Sequence, residues 1–275
     1  MEQATHYRLF LAFILLIGAL FSNLRAQGDT LLVQTVVDTM KIAPIEPDRP
    51  SHADAASLTA KGYFQMENGF NIIDTDPGFL YYYPSTIWKY GVNSNFELRV
   101  ITEYINIQHE GVPDVDGLLP IQVGFKAKLL DQHGIVPKAA VLGHLSLPGV
   151  ASDQFQTTYF APSFSLAFQH VISDRFNVFY DVAVKWDGED PRPTFLYAIG
   201  TGAHLFAGLG IYIEAFGDLP QQLEDEYHHR LDGGLTYLIG NNVMVDASGG
   251  IGLSDNAPEQ YVSVGISYRF NLLGK

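Results

Sequence analysis

Charged residues occur at alternate positions along several short runs of the chain. Glu97, Arg99 and Glu103 fall on one side of such a run, and Lys126 and Lys128 fall on one side of the next. Because successive side chains of a β-strand point to opposite faces, the charges of each run share a face. They could line a pore, select solutes and set a local field. They could equally pair across strands and fill a narrow lumen.

The same charged face can be traced through most of the chain. The residues predicted to line the lumen are Glu67, Glu97, Arg99, Glu103, Lys126, Lys128, Lys138, Asp181, Lys185, Glu214, Arg230, Asp232, Asp246 and Arg269.

No other residue pattern indicates catalysis or a cofactor. The chain has no cysteine, which excludes thiolate chemistry and a lipid anchor on an N-terminal cysteine. His228 and His229 are neighbours, so on a strand they point to opposite faces and do not chelate together. No helix pattern follows the glycine-rich stretches 200–202 and 249–252, and no nucleophile elbow is present. We therefore predict no catalytic residues, no cofactor and no metal site, and a protein that is not an enzyme.

Acidic residues also cluster between the runs. They are Asp114 and Asp116, then Asp187, Glu189 and Asp190, then Glu224, Asp225 and Glu226. Divalent ions would suit such carboxylates. No cluster has a calcium-loop pattern, so simple solvation of exposed loops is the favoured interpretation.

The runs that carry these charges are twelve predicted strands. Their approximate limits are 62–73, 79–92, 95–108, 119–130, 136–148, 157–171, 176–186, 194–206, 209–217, 227–239, 243–252 and 260–270. Even-numbered strands are followed by tight turns such as 93–95, 173–175 and 240–242, and odd-numbered strands mostly by longer polar loops. This sorting of connections is typical of an outer-membrane barrel, and a soluble sandwich has no reason for it. We predict an all-β fold, a transmembrane antiparallel up-and-down β-barrel of about 12 strands.

The opposite face of most predicted strands is apolar and rich in Phe, Tyr, Val and Leu. A Lys or Arg on the lipid face at mid-depth costs about 2–4 kcal/mol, so the charged face should be the lumen. The strand at 79–92 is aromatic on both faces, and its orientation stays open. Pro84 and Pro162 cannot donate to the strand ladder. Each could mark a bulge, which we favour, or a lateral gap for hydrophobic compounds.

The N-terminus reads as an export signal. Arg8 precedes the apolar stretch 9–21, and Ala26 ends a short polar region suited to cleavage. We predict a signal peptide at 1–26, a periplasmic, largely irregular lead-in segment at 27–60 and an outer-membrane barrel at 61–275. The formal net charge is −14. Nucleic acid is not an expected partner, because phosphate neutralisation needs Lys and Arg.

Three segments resemble a known family. They are DRPS at 48–51, KGYFQMENGF at 61–70 and WKYGVNSNFELR at 88–99. Together they resemble the outer-membrane transporter family named for the MetA pathway of phenol degradation, over residues 48–270. Lys89 stands where that family usually has Arg, and the chain continues five residues past Phe270. The resemblance implies a passive channel for small, in some cases aromatic, molecules.

We therefore predict passive diffusion of small molecules through a barrel exported to the cell outer membrane. The expected partners are outer-membrane lipid, a small-molecule solute and the barrel-assembly machinery, which by resemblance reads the ending Tyr268-Arg269-Phe270. One alternative is a non-conducting structural or surface-binding barrel whose loops bind a partner. A less favoured alternative is an outer-membrane lipid hydrolase.

Overall fold

The structure is a computed structural model that describes residues 42–75, 77–219, 227–254 and 257–272. They belong to one compact unit, Ile42–Lys275. The predicted signal peptide, residues 27–41 of the predicted lead-in segment, and Glu224, Asp225 and Glu226 lie outside the described residues. Among the described residues, no helix has the length and apolar character needed to cross a membrane.

Thirteen strands make up nearly all of the regular structure of the described residues. They are β1 (Tyr63–Asp74), β2 (Gly78–Asn93), β3 (Phe96–His109), β4 (Val115–Leu118), β5 (Gln122–Leu130), β6 (Lys138–Ser146), β7 (Ala161–Ser173), β8 (Phe176–Lys185), β9 (Thr194–Phe206), β10 (Leu209–Leu219), β11 (His228–Ile239), β12 (Val243–Gly252) and β13 (Gln260–Asn271).

The strands form a closed antiparallel barrel. Neighbours in sequence pair along the sheet from β5 to β13, β13 pairs with β1, and β1 pairs with β2. The additional pairing of β2 with β3 closes the ring. Strands β4 and β5 both pair with β3, at different heights, and together fill one position of a twelve-strand barrel. The predicted fold is confirmed.

The break between β4 and β5 was not predicted. The sequence indicated one strand at 119–130 and a loop around Asp116, but Asp116 lies within β4. The break contains Pro120, which has no N–H to donate. Beyond it, the Ile121 N–H donates to the carbonyl of Val150 at 3.0 Å, so the chain pairs locally with a loop.

Connection lengths differ between the two ends of the barrel. One end carries short turns such as 94–95, 174–175 and 207–208, whereas the other carries the loops 147–160 and 186–193. The connection 131–137 is the longest at the short-turn end. Tyr63 of β1 pairs with Asn271 of β13, so the barrel begins and ends at the short-turn end.

Pro84 and Pro162, the two prolines that could have marked a lateral gap, both lie in strands that are paired on each side. The register shifts between Tyr82 and Ser85 on β2, so Pro84 sits in a β-bulge. Pro162 pairs in register with Leu145 at the start of β7. The described ladder therefore continues past both positions.

The outer face of the barrel is apolar and the inner face is polar. Side chains such as Phe70, Leu98, Phe164 and Ile213 are about half exposed, although they are large and apolar. By contrast, many of the buried residues are charged, with Glu67 and Lys126 fully buried. This inversion of a soluble protein suits an exterior wetted by lipid.

Candidate functional site: the lumen and its inner segment

Residues 42–60, here called the inner segment, lie inside the barrel. They contain no helix or strand, and Ile45, Asp48, Ala53, Ala56 and Thr59 are buried. Backbone groups outside regular structure need other hydrogen-bond partners when they are buried. The inner segment finds them on the inward-facing side chains of strands around the barrel.

Asp48 is the most highly connected residue of the inner segment. Its carboxylate accepts from Nη2 of Arg99 at 2.6 Å and from Nζ of Lys126 at 2.8 Å, and it also pairs with Lys89. The three cations come from the adjacent strands β3, β5 and β2, and their side chains are at most 2% exposed. Lys89 also pairs with Glu67 of β1. A buried charge needs such partners, and losing one of them is costly.

Arg49 contacts the next strands along the barrel wall, β1, β13 and β12. Its Nη2 donates to Oδ1 of Asp246 at 3.0 Å and to Oγ of Ser263 at 2.7 Å. The guanidinium lies against Gly69 of β1 and Gly265 of β13, which pair in register. A Cβ at either glycine would come within 2.4 Å of an Arg49 side-chain atom.

Backbone N–H groups of the inner segment donate to barrel carboxylates. His52 and Ala53 donate to the two oxygens of Glu214, at 2.7 and 2.8 Å. Asp54 donates to Asp181 at 3.1 Å. Similar bonds join Thr59 to Glu97, and Asp48 and Arg49 to Glu67, at 2.5 to 3.2 Å. Charge-assisted hydrogen bonds of this kind are stronger than neutral ones.

Both ends of the inner segment are also held. Arg269 of β13 donates to the carbonyl of Ala43, and the Ile45 N–H donates to the carbonyl of Asn241 at 2.9 Å. At the other end, Nζ of Lys138 donates to Oγ of Ser57 at 2.5 Å. The segment is thus anchored along its length.

A cavity of about 310 Å³ lies on the long-loop side of the inner segment. Residues 48–54 form its floor. Arg230 of β11 and Glu103 of β3 line its walls, and the His52 ring stacks on Phe216 with centroids 3.7 Å apart. The cavity therefore offers charged and aromatic surfaces next to the inner segment.

Of the 14 residues predicted to line the lumen, nine are buried and five are less buried. Eight of the buried residues contact the inner segment directly: Glu67, Glu97, Arg99, Lys126, Asp181, Glu214, Asp246 and Arg269. The ninth, Asp232, accepts from Tyr212 and Tyr261 and lies 3.9 Å from the His52 ring.

The remaining five predicted residues are less buried. Glu103 and Arg230 line the cavity, and Lys138 reaches Ser57. Lys128 instead pairs with Asp131 at the short-turn end, 3.0 Å away. Lys185 is exposed at the long-loop end of β8. The structure does not bring Lys128 and Lys185 to the inner segment.

Sequence reasoning missed three central residues, Asp48, Arg49 and Lys89. The first two belong to the DRPS segment that carried the family resemblance, which was the only signal for them. Lys89 lies on the aromatic strand whose orientation stayed open. It pairs in register with Arg99 on β3, a charged neighbour that could have assigned its face.

The described acidic loop at 186–193 is structured by its own carboxylates. Oδ1 of Asp187 accepts the N–H groups of Glu189 and Asp190, which hold the pKa of the Asp187 carboxyl below its usual value. Hydrogen bonds from the Arg192 side chain lower the pKa of Asp190 to about 2. Among the described residues, no group of three His, Asp or Glu side chains is arranged to hold a metal ion.

A closed twelve-strand barrel with an apolar exterior and a charged interior defines the class of outer-membrane β-barrels. An outer membrane channel from Pseudomonas putida F1 has the same fold, with a TM-score of 0.63 at 10% identity over 82% of this chain and 100% of that chain. KdgM porin is similar over 75% of this chain and 99% of its own, with a TM-score of 0.51 and 11% identity.

Residues 47–270 match the family model described as "Putative MetA-pathway of phenol degradation". The chain belongs to this family, as its N-terminal motifs indicated. No curated protein matches the chain.

Proposed function

We propose that the protein is an outer-membrane channel for passive diffusion of small molecules. The observation that carries this proposal is the lumen, a charged interior in which hydrogen bonds and ion pairs hold a short segment without regular secondary structure, residues 42–60, against the wall. The porin and channel folds of the similar structures support the proposal.

The geometry divides the path of a solute into two steps. A solute from the long-loop end enters the cavity above residues 48–54. It then meets the inner segment, whose contacts run from β1 around to β12 and β13. Passage requires the inner segment to shift, so the described state should conduct poorly and open intermittently.

Flux into liposomes tests this function. The purified barrel would be reconstituted, and influx of ions, small sugars and simple aromatics would be compared with protein-free liposomes. Flux of any class above that background supports a channel, and the ranking of solutes indicates its selectivity. Background flux from a correctly folded, heat-modifiable barrel would contradict the proposal.

The second candidate is a non-conducting barrel whose loops bind a partner. The many buried contacts of the inner segment favour it, since they could hold the lumen closed permanently. It requires that loosening the inner segment leave conductance unchanged and that removal of loop 186–193 abolish binding of the partner. The channel requires instead that loosening the inner segment change the conductance and that removal of loop 186–193 leave transport intact.

We further propose the route by which the chain reaches the membrane. The signal peptide is cut after Ala26, the short turns face the periplasm and the acidic loops face outward. The assembly machinery reads the end of β13, where the Phe270 ring packs 5.5 Å from Phe64. The mass of the mature protein tests the cleavage site. Truncation before Tyr268 should abolish insertion, and normal insertion would contradict this role.

A further inference from the structure

The charges around the inner segment are separated into two walls. Lys89, Arg99 and Lys126 of the consecutive positions β2, β3 and β5 form the basic wall. The acidic wall lies on β8, β10, β11 and β12 and consists of Asp181, Glu214, Asp232 and Asp246. Two strand positions separate the walls on each side, β6 with β7 and β13 with β1, so the walls face each other across the lumen.

The barrel does not neutralise either wall completely. The three cations of the basic wall, together with the half-buried Lys138 of β6, outnumber the nearby inward-facing carboxylates, which are Glu97 and Glu103 of β3 and Glu67 of the neighbouring β1. No Lys or Arg of the described strands lies within 4.0 Å of the four carboxylates of the acidic wall. The basic groups near this wall are Arg230 of β11, whose guanidinium lies over the Phe216 ring, and Arg49 and His52 of the inner segment. Without the inner segment, the lumen would have a transverse field.

Asp48 and Arg49 complement both walls at once. The Asp48 carboxylate meets the three cations of the basic wall, while the Arg49 guanidinium meets Asp246 of the acidic wall. The two neighbouring residues place a negative group at the basic wall and a positive group at the near edge of the acidic wall, against β13 and β1. The paired glycines Gly69 and Gly265 make room for the positive group. The barrel wall is therefore shaped and charged to receive a compact amphoteric group.

We propose that the lumen selects small amphoteric solutes, which carry a carboxylate beside a cationic group as α-amino acids do. In the described state, Asp48 and Arg49 occupy the place that such a solute takes during passage. This inference rests on the proposed channel function and specifies its substrate class.

The native chain allows a direct competition test. Because the protein has no cysteine, a single Ala56→Cys substitution can report on the inner segment, in which Ala56 is 1% exposed. L-Arginine at millimolar concentration should accelerate its reaction with a water-soluble thiol reagent. An equimolar mixture of guanidinium, ammonium and acetate, which carries the three charged groups of L-arginine on separate ions, should do so much less. Equal effects of the two additions, or no effect of L-arginine, would overturn the inference.

A flux experiment tests selectivity independently. In the full chain, Asp48→Asn with Arg49→Gln should loosen the inner segment. L-Arginine should then enter liposomes about tenfold faster than a neutral polyol of similar mass, a ratio equivalent to about 1.4 kcal/mol. Adding Lys126→Gln and Glu214→Gln should reduce the ratio towards one while the polyol rate persists.

The flux experiment distinguishes a failure of amphoteric selection from a failure of the channel function. A loosened barrel that passes both solutes equally would refute amphoteric selection and leave the channel intact. A ratio that survives neutralisation of the walls would also refute it. A folded, loosened barrel that passes neither solute would refute the channel itself. Heat-modifiable migration in electrophoresis shows that each variant has folded.

Discussion

A methyl group on Gly69 would lie 1.9 Å from Nη1 of Arg49, because the guanidinium group rests on the barrel wall at this residue. Gly265, its partner in the register of β1 and β13, would bring a Cβ within 2.4 Å of Nε of the same side chain. Real atoms do not approach so closely, so only glycine at both positions leaves room for the Arg49 guanidinium. This contact couples the barrel wall to the inner segment.

Gly69→Ala should therefore displace Arg49 and raise the conductance of the barrel. The methyl group overlaps the guanidinium, which must leave Asp246 and Ser263. Single-channel recording in planar bilayers measures the effect. Gly149→Ala is the matched control, since a Cβ at Gly149 has no neighbour within 4 Å. Native-like conductance in Gly69→Ala would show that Arg49 does not hold the inner segment.

Asp48→Asn should release the inner segment from the barrel wall without disrupting the pairing of the barrel strands. The neutral amide cannot compensate the positive charges of Lys89, Arg99 and Lys126. Removing one partner from a buried ionic group typically costs about 3–5 kcal/mol of stability. The strand ladders do not depend on Asp48. We expect protease cleavage within residues 42–60 to become fast, with the heat-modifiable barrel band retained.

Glu46→Gln is the control for this experiment. It makes the same carboxylate-to-amide change in the same segment, but Glu46 is half exposed and lies 3.8 Å from Lys138. Exposed pairs of this kind contribute about 0–1 kcal/mol. Equal protease sensitivity of the two variants would mean that the Asp48 cluster is not the anchor.

The barrel could be predicted because its signals are local. Alternation places Glu97 and Arg99 on one face of β3 whatever lies opposite, and turn lengths are read directly from the chain. Pro120 was the local sign of the break, but the sequence does not show that β3 pairs with both β4 and β5 on either side of it. A loop residue, Val150, replaces the strand partner there.

The inner segment could not be placed in the same way. Alternation assigns Lys126 to a face but does not say that Asp48, 78 residues earlier, meets it there. Residues 42–60 have no periodicity, since their shape follows the carboxylates and cations that the closed barrel presents. Such contacts exist only after the strands have paired, so they leave no local pattern in the sequence.

As the pH falls, the loop at 186–193 should keep its structure until the pH is below the usual pKa of aspartate. Asp187 and Asp190 have lowered pKa values in the folded loop, that of Asp190 being about 2. A group with a lowered folded-state pKa stabilises the fold above its unfolded pKa, and this contribution is lost as pH falls through the folded pKa. The transition should therefore lie below pH 3.8, the ordinary value.

Trp186 can report this transition. Its indole Nε1 donates to the carbonyl of Pro191 at 3.0 Å, across the loop. In a Trp88→Phe background it is the only tryptophan, since the chain has two. Its emission should change below pH 3.8, and Asp187→Ala should produce the changed emission already at neutral pH. A native midpoint at or above pH 3.8 would contradict the assignment.

Ile213→Lys should destabilise the barrel in lipid by about 2–4 kcal/mol, the cost of a cation near the middle of the lipid face. Ile213 lies in the middle of β10, is 52% exposed and alternates with the buried Glu214, so its side chain points away from the lumen. Ile135→Lys is the control, because Ile135 is 93% exposed in the 131–137 connection at the short-turn end. Urea unfolding in vesicles gives both differences in the free energy of unfolding. If the outer face meets lipid, only the change in β10 is costly, although the control residue is the more exposed of the two. Equal small losses would mean that water wets the apolar face, and the charged interior would then need another explanation.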